Sequence, residues 1–279
     1  MSANQEKVRR DWQIPDELWA RIQPLLPPRK PHPLGCHRPR VDDRRAMDAI
    51  FFVLRTGCQW NALHDTGLCS SSSAHRRFQE WTEADVFLSL WGQGLLEYEA
   101  LKGIDWEWLA RAGAMTTAPL GGEKSGPDPD RSREARHQAE PPHRRRGGVP
   151  VGLAVEGATR KDFTWVRETI ESIPVERPAP TADKPQGRCL DTGDDDDEVR
   201  DLLTEFGFTA HIRARGEEAK ALKQEAGVKA RRWVVGRAHS GMNRFRRVLL
   251  RWDKKVRNYL AFLHLACAYI TFRQSGLLG

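Results

Sequence analysis

The feature that most constrains this chain is a change in the period at which apolar side chains recur. As far as about residue 96 they return every three or four positions, as one face of a helix requires; in the middle of the chain short runs bounded by glycine and proline, as strands have, come in among the helical ones. Pro15, Asp16 and Glu17 open a helix carrying Leu18, Trp19, Ile22, Leu25 and Leu26, which Pro27 and Pro28 end. Asp42 is placed to cap a second helix, whose apolar face is Ala46, Met47, Ile50, Phe51, Val53 and Leu54 and which stops at Gly57. The run Ser70 to Ser73 offers a cap for a third, in which Phe78 and Trp81, one turn apart, anchor the helix while Arg76 and Arg77 face out. A fourth is expected over about 83–96, with Val86, Phe87, Leu90 and Trp91. Two short helices behind a longer one suit a helix-turn-helix-like DNA module, and also a three-helix packing that has nothing to do with DNA.

Strands are expected at 113–120 and 149–155, broken by Gly121-Gly122 and by Gly157. Asp162 caps a helix to Ile170, 174–187 is a Pro-rich loop, and 188–191 reads as a brief buried strand with Asp191 at its carboxyl edge. A helix over 197–206 and a strand over 209–214 follow, and nearly everything from Glu217 onward reads as helix. The longest apolar run, Tyr259 to Phe272, is ~14 residues, too short to span a bilayer, and reads as a buried helix. Strands alternating with helices imply an α/β domain (99–279) behind an all-α one (1–98). One segment fits neither pattern. From 131 to 148 there are six arginines, two histidines and Pro141-Pro142, but no Val, Leu, Ile or Phe. Such a composition is predicted not to form a core strand; it suits a basic DNA-binding loop or the product of a shifted reading frame.

Charge bears on the partner. Lys plus Arg number 45 against 38 Asp plus Glu, for a formal net charge of +7 and a pI near 9.3, which favours a polyanion such as nucleic acid. The Pro-rich arm at 27–41, with Arg29, Lys30, Arg38 and Arg40, could lie along phosphates or be a solvated loop. Five scattered cysteines without a Cys-x-x-Cys, and a polar start from Met1 to Asp11, fit a reduced, cytoplasmic protein with no membrane partner.

Several ordered runs are more specific than any short motif. They are Asp43-Arg44-Arg45-Ala46-Met47-Asp48-Ala49-Ile50 with Arg55-Thr56-Gly57-Cys58-Gln59-Trp60, Gly113-Ala114-Met115-Thr116-Thr117-Ala118-Pro119-Leu120-Gly121-Gly122-Glu123, and Val149 to Ala158. Cys189-Leu190-Asp191, Arg232-Trp233-Val234-Val235 and Asn243-Arg244-Phe245-Arg246-Arg247 continue the series. Over almost its full length the chain resembles bacterial insertion-sequence transposases of the DDE type, in the IS-five group. The resemblance implies a helical DNA-binding domain followed by an RNase H-like α/β catalytic domain with C-terminal helices. It implies DNA as partner, both the element's terminal inverted repeats and target DNA, with a homodimer as the candidate assembly. It further implies DNA transposition in which Asp, Asp and Glu hold two Mg²⁺ or Mn²⁺ ions, about 3.5–4 Å apart, that clamp an in-line displacement at phosphorus.

Carried over, the second Asp falls on Asp191, the expected catalytic residue and metal ligand. The first falls directly before the Gly-Ala-Met-Thr run, where this chain has Ala112; the Glu falls directly after Arg-Trp-Val-Val, where it has Gly236. Neither side chain can bind a cation, so one carboxylate remains of three. Asp105 stands seven residues before Ala112, about 23 Å away if that segment is extended, and the acids at 194–197 sit beside Asp191 rather than opposite it. Gly236 and Gly241 each cost about 0.8–1 kcal/mol in a helix interior, and the family carries Trp where Gly241 stands. The expectation is a transposase-family protein with impaired catalysis; the alternative is a basic DNA-binding protein without catalysis, retained for regulation. DNA contacts are expected from Arg237, Asn243, Arg244, Arg246 and Arg247 on the late helix, and from Arg76 and Arg77.

Overall fold

The computed structural model describes residues 12–29, 40–110, 113–127, 133–138, 149–157, 162–190, 197–212 and 241–278. Four helices open the chain: α1 (Asp16–Ile22), α2 (Asp43–Thr56), α3 (Ser71–Glu83) and α4 (Val86–Lys102). Their ends follow the expected capping chemistry. The Asp42 side chain accepts from the Arg45 backbone N–H, the Ser70 hydroxyl accepts from that of Ser73, and Gly57 closes α2 in the left-handed region at φ 70°. The predicted apolar face of α2 is buried throughout, as are Phe78 and Trp81 of α3.

The late helix α8 (Val256–Ser275) is buried nearly all round, as its composition requires, and it lies along α4 in the same direction. His264 stacks on Trp91 at 5.5 Å between ring centroids. Gly94 leaves room for Phe272, whose ring would sit 3.1 Å from any β-carbon there. Phe262 stacks on Phe78 of α3 at 4.4 Å, and Arg257 donates to the carbonyls of Thr82 and Glu83. The expected boundary at residue 98 therefore falls inside a helix. Buried Leu95 and Tyr98 prolong the apolar face of α4 until Gly103, at φ 75°, stops it.

A three-stranded parallel sheet, in the order β1 (Trp108–Ala110), β6 (Gln186–Leu190), β7 (Phe208–Ile212), is crossed between its last two strands by helix α6 (Asp197–Glu205). Helix α5 (Asp162–Glu171) packs on α6. A second, antiparallel sheet holds β2 (Gly113–Thr117), β3 (Gly126–Pro127), β4 (Arg133–Gln138) and β5 (Val155–Gly157). Here two expectations are corrected. Residues 133–138 form a strand despite their composition, paired on one side with β2 and on the other with β3 and β5. A ladder is made by backbone N–H and C=O groups, which an arginine supplies as well as a valine. The rest of 131–148 lies outside the described residues. Of the strand expected at 149–155 only Val155 enters a ladder; Val149, Val151 and Leu153 are buried as unpaired extended chain, pinned where the Pro150 carbonyl accepts from the Trp91 indole N–H at 3.0 Å.

The expectation that nearly everything from residue 217 onward is helix is corrected at 243–245 and 250–255. Residues 213–240 lie outside the described set; thereafter a turn at Asn243–Arg244, the short helix α7 (Arg246–Leu249) and an extended stretch at 250–255 precede α8. That stretch is clasped by the loop after β2. The Arg251 N–H donates to the Thr117 carbonyl and the Glu123 N–H to the Lys254 carbonyl, both at 2.9 Å, and the Glu123 carboxylate accepts from the Val256 N–H at 2.9 Å, capping α8. Gly122, at φ 127°, permits the approach, since a β-carbon there would lie 2.4 Å from the Lys254 carbonyl oxygen.

Burial between α4 and α8 holds the His264 imidazole pKa down, to about 4. A histidine whose folded-state pKa lies below the unfolded value of about 6.5 contributes its full stability above that pH and loses it as pH falls toward 4. Because His264 as a whole is half-buried, the loss should be about 1–2 kcal/mol rather than the full shift. Urea unfolding at pH 7 and pH 4.5 should show it, and His264→Leu should remove that part of the pH dependence.

Candidate nucleic-acid interface and strand ends

Strands β1 and β6 are neighbours and parallel, in the register Trp108↔Gly187, Leu109↔Arg188, Ala110↔Cys189. Ala112 comes two residues after Ala110, and Asp191 two residues after Cys189. Ala112, Asp191, Gly236 and Arg237 themselves lie outside the described residues. The carboxyl ends of neighbouring parallel strands are where α/β sheets hold their ligands. Asp105, whose carbonyl accepts from the Trp108 N–H, stands before β1 and so at the opposite end of the sheet. Of the acidic run at 194–197, Asp197 opens α6 and is exposed, where the helix dipole favours a carboxylate.

Among the described residues no group of three or more His, Cys, Asp or Glu could hold a metal ion. A carboxylate pair that the sequence reading missed lies elsewhere. Glu156 on β5, 1% exposed, and Glu168 on α5 converge on the Lys124 ammonium, which bonds Glu156 and stands 3.3 Å from Glu168. Burial raises the Glu168 carboxyl pKa, Lys124 opposes the rise and Glu156 adds to it. The ammonium fills the position a cation would take, so this cluster ties the post-β2 loop to β5 and α5.

The arginines divide into two classes. Arg76 is exposed on α3, as expected. Arg77 is not: its side chain is 13% exposed and paired with Glu80, which also binds Arg40 at 3.1 Å, while Arg40 and Arg29 hold Asp43 at 2.9 and 3.0 Å. This network joins α2 to α3 and uses the guanidinium that the sequence reading turned outward. Asn243, Arg244 and Arg246 are exposed. Arg247 is corrected from the DNA-facing set, because it is buried, hydrogen-bonded to both Asp253 carboxylate oxygens at 3.0 and 3.2 Å, and lies over the Phe262 ring at 5.3 Å. One residue along α7 turns the side chain by about 100°. Gly241 is also explained by packing: a β-carbon would lie 3.3 Å from Ile270 Cδ1, so α8 fills the space that an indole would need.

Comparison with known proteins agrees with the sequence runs. Residues 14–91 match the family described as "Putative transposase of IS4/5 family", and residues 189–273 match the "Transposase DDE domain". From Burkholderia cepacia, the "Insertion element IS402 uncharacterized 16.2 kDa protein" is 36% identical over 123 residues, 43% of this chain and 84% of that protein. The chain belongs to the IS4/5 family of insertion-sequence transposases. A second relative in this family, "Putative transposase for insertion sequence element IS402" from the same organism, is 30% identical over 154 residues, 54% of this chain and 69% of the relative. Among solved structures, the Mos1 transposase paired-end complex with left transposon end overlaps at a TM-score of 0.27 and 11% identity, covering 88% of this chain and 82% of that one. The Mos1 strand transfer complex overlaps at 0.28 and 10%, covering 90% and 80%. At that level the likeness bears on neither fold nor mechanism. No helix among the described residues of this IS4/5-family chain is long and apolar enough to cross a membrane.

The two arginine classes predict opposite phenotypes. Asp253→Ala strands a buried guanidinium and should destabilise the fold by about 3–5 kcal/mol, whereas Arg246→Ala should stay within about 0.5 kcal/mol of the parent. Thermal and urea unfolding of the two variants side by side checks the assignment.

Proposed function

We propose that this transposase-family chain binds DNA at the ends of an insertion element, with its phosphoryl-transfer chemistry impaired because Ala112 and Gly236 occupy two of three carboxylate positions. The observation that carries the reading is the sequence at the family's carboxylate positions, Ala112, Asp191 and Gly236, of which one is an acid; that the described strands β1 and β6 are parallel neighbours supports it. DNA affinity is supported by the exposed Arg76, Arg244 and Arg246, with Asn243 beside them. Guanidinium groups bind phosphate oxygens through paired N–H donors and fix register before any base is read. In a helix-turn-helix-like arrangement α3 is the helix free to approach DNA, since α4 is enclosed by α1, α3 and α8. Two element ends call for two bound copies, so a homodimer belongs to the same reading.

The test is fluorescence anisotropy with DNA carrying the element's terminal repeats, across a salt series, together with a strand-cleavage assay in Mg²⁺ or Mn²⁺. Binding should weaken linearly in log K against log salt, and Arg76→Ala, Arg244→Ala and Arg246→Ala should each lower the slope by about 1. No strand transfer should appear. Strand transfer that is lost on Asp191→Ala would overturn the impairment.

A further inference from the structure

The extended stretch after α7 has its pattern inside out. Two of its four charged residues point inward: Arg251 is 0% exposed and Asp253 8%. Between and beside them, Leu249 and Leu250 are each 41% exposed and Trp252 is 39% exposed. Successive side chains of an extended strand alternate faces, so shifting this stretch by one residue would bury Leu250 and Trp252 and expose the charges. Hydrogen bonding prevents that shift. The Arg251 backbone N–H is held by the Thr117 carbonyl, its side chain donates to the carbonyls of Asp253, Glu123 and Lys254, and the Asp253 carboxylate is held by Arg247. The fold thus fixes a tryptophan and two leucines on its outside.

The part of the rim that residues 243–257 contribute has one sign, while two exposed acids of other segments touch its far end, Glu123 at Val256 and Asp85 at Arg257. From residue 243 to 257 the exposed polar residues are Asn243, Arg244, Arg246, Lys254, Lys255 and Arg257, and the one acid in that span, Asp253, is buried against Arg247. A partner that fits must be negatively charged at its margin and offer a flat apolar face at its centre. A nucleic-acid strand does so where a base is unpaired, with phosphates at the edge and the base face exposed. We infer that Trp252, backed by Leu249 and Leu250, is a stacking platform for an unpaired base where DNA strands separate, and that Arg244, Arg246, Lys254 and Lys255 hold the flanking phosphates. The inference rests on the DNA-binding reading above and deepens it by naming the form of DNA this surface takes.

The experiment uses the full chain and two fluorescein-labelled DNAs of equal length, one fully duplex and one ending in a short unpaired fork. The parent should prefer the forked DNA by roughly tenfold, the order expected from stacking one base on an aromatic side chain. Trp252→Ala should bring that preference to within about twofold while leaving duplex affinity and salt slope unchanged, and Trp252→Phe should keep most of it. Unfolding curves matching the parent's establish that the variants are folded. Equal affinity of the parent for both DNAs, or a preference that survives Trp252→Ala, would overturn the platform while leaving the DNA-binding reading intact. Self-association that is lost in Trp252→Ala, with DNA preference unchanged, would assign the surface to a second copy of the chain and equally overturn it. No salt-dependent binding to either DNA would defeat both readings.

Discussion

A guanidinium sealed from water organises the junction between the helical layer and the sheets. Arg251 donates from its side chain to three carbonyls and lies 5.5 Å from the centre of the Tyr259 ring; its burial lowers its pKa. Desolvating such a group is unfavourable by several kcal/mol unless its hydrogen bonds are met, so the backbone that accepts from Nε and Nη2 is held in place, while the buried Nη1 has no hydrogen-bond acceptor among the described residues. That backbone is the loop after β2 on one side and the start of α8 on the other. Once α8 is started there, its apolar surface is committed to α4, and the helices at one end of the chain share a core with the segments at the other.

The same constraint decides which charges face water. Arg247 and Asp253 satisfy each other inside, so the cations left outside between 243 and 257 meet no acid of that span. Exposed ion pairs contribute little to stability, whereas unpaired exposed cations raise the local potential that draws in a polyanion.

Much of the helical layer was legible in the sequence because its signals are local. Asp42 and Ser70 cap as expected, Gly57 terminates as expected, and the apolar faces of α2 and α3 are buried. Residues whose roles depend on distant partners were harder to read. Arg77 and Arg247 look alike from their neighbours, and only Glu80 with its α2 partners, and Asp253 beyond a non-helical stretch, reveal them as interior. Strand β4 was missed because composition reports side chains, whereas its pairing is made by the backbone. The triangle of Lys124, Glu156 and Glu168 joins a lysine to two acids that both lie more than thirty positions after it and has no signature in any one segment. The assignment of Asp191 rests on the family runs, since that residue lies outside the described set, which ends β6 at Leu190.

The central claim is that the scaffold persists while the cation pair cannot be held. Its most direct test is calorimetric titration of the full chain with MnCl₂, beside a variant carrying both Ala112→Asp and Gly236→Glu. The account predicts no stoichiometric binding by the parent and a saturable Mn²⁺ site in the doubly restored chain. Tight uptake of two ions per chain by the parent would contradict it.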